Sequence, residues 1–168
     1  GQHLAVIDTE NSLYGGQHTI YLVNIQTGER RRLTAPGDFV GETTPRFSPD
    51  GRNVAFVRLV KDHGMELFVI PSSGGEPRRL TFDEATVHSA AWSPDSQSIY
   101  FVSFRNSNHA NLWRIPAAGG EMEFVTTGSS DLWVIAASST GKHLAFVTGK
   151  PRETLWRVTD IENKPGRF

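Results

Sequence analysis

The sequence predicts an all-β fold, a β-propeller fragment of about three and a half four-stranded blades, and three observations carry the prediction. Apolar anchors recur with a period of about 45 residues: Leu4, Val54, Ile99 and Leu144 on one strand, Leu22, Leu67, Leu112 and Leu155 on the next, and Ile25, Ile70, Ile115 and Val158 at its end. Within each period the apolar runs are rich in Val, Ile, Phe, Tyr, Trp and Thr and are broken by Gly, Pro, Asp and Ser, the composition of short strands and tight turns. No window repeats apolar residues at steps of three and four, so helix content is expected to be close to nil.

We name the strands of a blade A to D from the central axis outward. Blade 1 (3–34) supplies B, C and D without an A. Blades 2 (44–81) and 3 (89–126) are complete, and blade 4 (133–168) lacks a convincing D. Strand A is expected at 44–48, 89–93 and 133–138, B at 53–60, 98–104 and 143–148, and C at 66–71, 111–116 and 154–159. Ser48-Pro49-Asp50-Gly51 turns A into B, with Pro supplying the φ of a type I turn and Gly closing it, and Ser93-Pro94-Asp95-Ser96 is its drifted copy. Gly74-Gly75 and Gly119-Gly120 turn C into D, where paired glycines admit positive φ. B and C are almost continuously apolar, as sheets covered on both faces by neighbouring blades must be. D is polar and carries Arg30, Arg31, Arg32, Arg78 and Arg79, which we read as a solvated stripe protecting the outer edge.

The chain has 168 residues, of which 38% are hydrophobic, and 17 Lys+Arg against 18 Asp+Glu leave a net charge of -1. That balance lacks the basic field of a nucleic-acid surface, so no direct nucleic-acid contact is expected from this segment. With no cysteine, disulfides and thiolate chemistry are excluded, and the compartment stays open. No apolar run reaches the roughly 20 residues of a membrane span. The chain opens in mid-pattern, which predicts a longer parent. An arc of blades leaves its two end faces uncovered, so a second copy completing the ring as a homo-oligomer is expected.

Phe47-Ser48-Pro49-Asp50-Gly51-Arg52-Asn53-Val54-Ala55-Phe56-Val57 and Trp92-Ser93-Pro94-Asp95, each followed by Gly-Gly-Glu and by Leu-Thr or Val-Thr, resemble the TolB-type (WD40-like) β-propeller repeat over residues 3–159. Three further stretches are similar to the carboxy-terminal propellers of bacterial winged-helix, CadC-like transcriptional regulators. They are Glu42-Thr43-Thr44-Pro45-Arg46-Phe47, Gly75-Glu76-Pro77-Arg78-Arg79-Leu80-Thr81-Phe82-Asp83 and Leu112-Trp113-Arg114-Ile115-Pro116. The resemblance implies a sensory or protein-interaction module whose DNA-binding and membrane parts lie elsewhere. Propellers of prolyl-oligopeptidase-type hydrolases and TolB-like periplasmic proteins have similar repeats and remain alternatives.

In a propeller the inter-blade and B-to-C loops share one face. That face collects His18, Asp38, Glu42, Asp62, His63, Asp83, Glu84, His88, Arg105, Asn106, Asn108, His109, Asp131 and Trp133, and the candidate interaction face is His63, Asp83, His88, His109, Asp131 and Trp133. The histidines share no ligand spacing, so neither metal nor cofactor is expected. Trp92, Trp113 and Trp156 fall on repeating apolar positions and are expected in the core, whereas Trp133 aligns with His88 beside the channel as an aromatic contact. Nucleophile-elbow, His-Glu-x-x-His, phosphate-loop and calcium-loop motifs are all missing, and no catalytic residue is expected.

Overall fold

The computed structural model describes residues 1–10, 17–35, 41–61, 63–105, 109–126, 132–138, 140, 143–148 and 154–159. Strands β1 (His3–Glu10), β2 (Gln17–Asn24) and β3 (Arg30–Arg32) make blade 1. Blade 2 is β4 (Gly41–Phe47), β5 (Asn53–Val60), β6 (Gly64–Pro71) and β7 (Arg78–Arg79). Blade 3 is β8 (Val87–Trp92), β9 (Ser98–Ser103), β10 (Asn111–Pro116) and β11 (Glu123–Thr126), and blade 4 is β12 (Leu132–Ala137), β13 (His143–Thr148) and β14 (Thr154–Thr159). Each blade is an antiparallel meander, and no helix occurs among the described residues. Among the described residues a single parallel bridge, His18 to Gly41, joins blades 1 and 2 edge to edge. Gly41 permits it, because a Cβ there would stand 3.1 Å from that of His18.

The unbroken apolar runs bury both faces of the inner blades. Along β5, Val54 and Phe56 pack with Ile20, Leu22 and Leu33 of blade 1, whereas Ala55 and Val57 pack with Ile99, Phe101 and Trp113 of blade 3. The alternation repeats on β9, where Ile99 and Phe101 face blade 2 and Tyr100 and Val102 meet Ile135, Leu144 and Phe146 of blade 4. A pleat turns successive side chains to opposite faces, so two covered faces require an apolar residue at every position. Each large side chain so buried contributes roughly 1.5–3 kcal/mol.

The turn motifs are knots of side-chain hydrogen bonds. Ser48 Oγ accepts the Asn53 N–H at 3.0 Å and donates to Asp50, whose Oδ1 also accepts the Arg52 N–H at 3.0 Å. Ser93, Asp95, Gln97 and Ser98 repeat the arrangement in blade 3. Blade 4 keeps the serine: Ser138 Oγ accepts the His143 N–H at 3.2 Å. Bonds also pass between blades here, from Trp92 Nε1 to the Arg46 carbonyl at 2.9 Å and from the Asp50 N–H to Ser96 Oγ at 3.2 Å.

The Leu-Thr that closes a blade does more than end a strand. Thr81 Oγ1 accepts the Leu67 N–H at 3.0 Å and donates to the fully buried Glu66 carboxylate, which also takes Arg79 at 3.0 Å and the Glu84 N–H at 3.1 Å. Blade 1 builds the same device with a borrowed acid: Thr34 Oγ1 accepts the Ile20 N–H at 3.0 Å and donates to Glu42 of blade 2. Glu42 is held in turn by Arg58 Nε at 2.9 Å, and that guanidinium lies 4.9 Å from the Phe68 ring centre.

Four expectations are corrected. Glu42 is completely buried rather than a loop-face residue, because Arg58 and Thr34 supply the partners a buried carboxylate needs. Arg30, Arg31, Arg32 and Arg78 of the D strands are exposed yet committed: Arg31 donates to the Ser72 carbonyl at 2.5 Å, Arg78 to the Ala117 carbonyl at 2.5 Å, Arg30 to Asp8 and Arg32 to the Thr34 carbonyl at 2.8 Å, while Arg79 is half-buried on Glu66. Arg31 and Arg78 thereby clamp the C-to-D turn of the following blade. Leu4 lies opposite Val23 while Val54 lies opposite Ile70, so Leu4 corresponds to Phe56, two residues from its expected register. The connection from β1 to β2 is longer than that from β5 to β6, so equal spacing along the chain does not correspond to equal register here. The inner strands of blades 2 and 3 also begin earlier, at Gly41 and Val87, because a bulge interrupts their alternation.

Candidate interaction face

The same irregularity recurs on all three A strands. Register shifts occur between Thr43 and Arg46 on β4, between Val87 and Ser89 on β8, and between Leu132 and Ile135 on β12. A bulge places two residues against one and re-aims a side chain out of the pleat. On β4 the bulge holds Thr44 at φ 50° ahead of Pro45. On β8 and β12 the bulged residues are His88 and the pair Trp133-Val134.

The bulges bring His88 and Trp133 together across the junction of blades 3 and 4. Their ring centres are 5.1 Å apart at 68°, and Phe104 also meets the His88 ring, at 5.1 Å and 70°. Edge-to-face packing of this kind fixes ring orientation. Trp133 is 42% exposed and Val134 49%, whereas Trp92 and Trp113 are buried. The result is an open aromatic ledge with an imidazole at its centre.

A second, more polar group stands at the junction of blades 2 and 3. Asp83 grips Arg105 with both carboxylate oxygens, and the buried guanidinium lies 5.2 Å from Phe101 and 5.4 Å from Trp113. Arg105 holds the Asp83 carboxyl below the usual carboxylate range, against the opposing effect of partial burial. Beside it, His63 Nδ1 meets Glu84 Oε1 at 2.9 Å, and Glu84 sits at φ 58° with its N–H on Glu66. The pair Arg105–Asp83 over Phe101 and Trp113 thus parallels Arg58–Glu42 over Phe56 and Phe68.

Of the six sequence candidates, His88 and Trp133 touch, and His63 and Asp83 are neighbours through Glu84. His109 is exposed in the loop between β9 and β10, where its carbonyl accepts Asn111 Nδ2 at 3.0 Å. Asp131 lies outside the described residues, as do Asp38, Asp62, Asn106 and Asn108. Among the described residues no three His, Asp or Glu side chains gather as metal ligands. A cleft of about 230 Å³ lined by Arg32, Thr34, Gly75 and Glu76 lies on the outer rim, away from the ledge. Sequence reasoning missed Phe104 and the buried acids, although Arg58 and Glu66 within apolar runs are the signal for such pairs.

The sequence profile of the tricorn protease N-terminal β-propeller domain matches residues 13–158. Among solved structures, a putative TolB from Agrobacterium tumefaciens superposes with a TM-score of 0.80 at 21% identity, covering 98% of this chain and 60% of that one. TolB from Acinetobacter baumannii gives 0.75 at 22% identity, over 94% of this chain and 38% of that one. A puromycin hydrolase gives 0.75 at 20% identity, over 94% of this chain and 27% of that one. The chain therefore spans 60% or less of these structures, and the likeness to them is one of fold. With strand order, repeat and profile in agreement, the chain belongs to the family of the tricorn protease N-terminal β-propeller domain.

Proposed function

We propose that residues 1–168 act as one non-catalytic sensory or protein-interaction module, with the ledge of His88, Phe104 and Trp133 as its contact surface. The observation that carries this reading is Trp133, which is 42% exposed at a bulge while packed against His88. A rigid aromatic with one open face offers a large contact area at little entropic cost, which is why tryptophan anchors interfaces. His63 with Glu84, beside Asp83, supplies a polar flank.

Three parents suit such a module, and one of them, a TolB-like periplasmic protein marked by a signal peptide upstream, is favoured by the TM-scores of 0.80 and 0.75 with TolB structures. The wording of blades 2 and 3 favours the sensor of a CadC-like regulator. The match to a protease propeller, together with the puromycin hydrolase likeness, favours the propeller of a peptidase equally. The coding sequence on either side of residues 1 and 168 separates them: a winged-helix domain upstream supports the sensor, and a hydrolase domain downstream supports the peptidase.

The ledge itself is tested by selecting peptides from a displayed library on the protein and measuring their affinity by fluorescence. Trp133→Ala is expected to weaken the selected peptides by about tenfold or more, the loss of one anchor, with an unchanged melting temperature. Peptides that bind the variant as well as the parent protein would overturn the assignment.

A further inference from the structure

The Leu-Thr that closes blade 2 is followed by an aromatic that the blade itself does not need. Blades 1 and 3 carry Leu33-Thr34-Ala35 and Val125-Thr126-Thr127 at the same place. Thr34 and Thr81 make the same bond to strand C, so Ala35 shows that a blade closes without a large side chain here. Phe82 is nonetheless 69% exposed, more than any other large apolar side chain among the described residues. Its ring is supported from one side: the Arg79 guanidinium lies 5.0 Å from the ring centre and is itself fixed to the Thr81 carbonyl at 2.6 Å and to Glu66 at 3.0 Å.

The same buried carboxylate sets the neighbouring residues. Glu66 accepts the Glu84 N–H at 3.1 Å, and Glu84 stands at φ 58°, a left-handed conformation that a residue other than glycine keeps only where its surroundings impose it. The Glu84 side chain is 62% exposed and meets His63 Nδ1 at 2.9 Å. A neutral imidazole donating from Nδ1 orients that carboxylate without cancelling its charge. Glu66 is balanced by Arg79 and Asp83 by Arg105, so Glu84 carries the uncompensated charge of the group. One buried acid thus mounts an open ring and an open carboxylate, two residues apart, at the junction of blades 2 and 3.

We propose that Phe82 and Glu84 form a docking point for a partner protein, which engages it through an extended segment carrying a cationic side chain, Arg or Lys, next to an apolar one. The cation meets the Glu84 carboxylate in a charge-assisted bond, and the apolar side chain covers the ring face that Arg79 leaves open. Glu84 repels acidic segments, which fixes the sign of the partner. The contact rests on the module reading above in one respect, that this face of the propeller meets the partner. It does not need Trp133, which stands at the junction of blades 3 and 4.

The test pans a displayed library of random peptides on the whole chain and counter-selects on a Phe82→Ala/Glu84→Gln variant, so that only peptides dependent on this point are retained. Those peptides are expected to carry Arg or Lys beside Leu, Ile, Phe or Trp. By fluorescence anisotropy each should lose about tenfold or more in affinity with Phe82→Ala and with Glu84→Gln, and change less than about threefold with Trp133→Ala. Exchanging the peptide's cation for Glu should abolish binding to the parent chain and restore it with Glu84→Lys, a gain that no misfolded variant can show. Retained peptides without a cation, no peptide binding below about 1 mM, or failure of the charge exchange would overturn the proposal. Peptides that fail on Trp133→Ala yet bind both Phe82→Ala and Glu84→Gln as the parent chain does would overturn this docking point and leave the ledge standing.

Discussion

Replacing Thr81 by valine removes one hydroxyl and nothing else of consequence, since the side chains are nearly isosteric and Thr81 is fully buried. Two bonds go: the Leu67 N–H loses its acceptor at 3.0 Å, and the Glu66 carboxylate loses a donor. A neutral bond is worth about 1 kcal/mol, one to a charged group about 1.5–3, and an orphaned buried N–H adds a further cost. Glu66 keeps Arg79 and the Glu84 N–H, which limits the damage. The expected loss is about 3 kcal/mol, against less than about 1 for Thr81→Ser, which retains the hydroxyl. Urea unfolding followed by circular dichroism measures both, and with a slope of about 2 kcal/mol/M the valine midpoint should drop by about 1.5 M. A cycle with Glu66→Gln should give a coupling of about 1 kcal/mol or more. A valine variant within about 0.5 kcal/mol of the parent chain, or zero coupling, would refute the view that this motif secures the blade.

Acid should weaken the fold through its turns. Asp50 and Asp95 have carboxyls held below the usual range, by the Ser48 and Ser93 hydroxyls first and then by the Arg52 and Gln97 N–H groups, and Asp83 by Arg105. A lowered folded-state pKa gives stability that is present above the unfolded value of about 3.9 and is lost as pH falls through the folded one. The urea midpoint is thus expected to decline below about pH 4, and less steeply in a triple Asp→Asn variant; identical slopes would contradict the assignment. Arg78→Ala should speed amide exchange in the turn 117–120 of blade 3 while leaving the turn 48–51 unchanged, because Arg78 clamps only the former; uniform acceleration would show that the clamp is not local.

Periodicity made the strands legible because a sheet covered on two faces demands apolar residues at every position, and such runs stand out from the Gly and Pro turns between them. Strands β5 and β10, in the two inner blades, coincide with their expected limits for that reason. Spacing also placed Trp133 opposite His88, since repeats of equal length put equivalent residues on neighbouring blades. The bulges on β4, β8 and β12 were not legible, because one unpaired residue leaves no mark on composition. Their consequence, the packing of Phe104 on His88, was hidden with them.

Determined by the sequence alone were the all-β architecture, the blade repeat, the turn chemistry and the burial of Trp92 and Trp113, each a local pattern multiplied by a period. The tertiary structure decided what the polar residues do. Glu42 and Arg58 come from different strands, Thr34 from a different blade, and Arg31 and Arg78 reach the turns of their neighbours. Such bonds join residues distant in the chain, and no local pattern encodes which donor meets which acceptor.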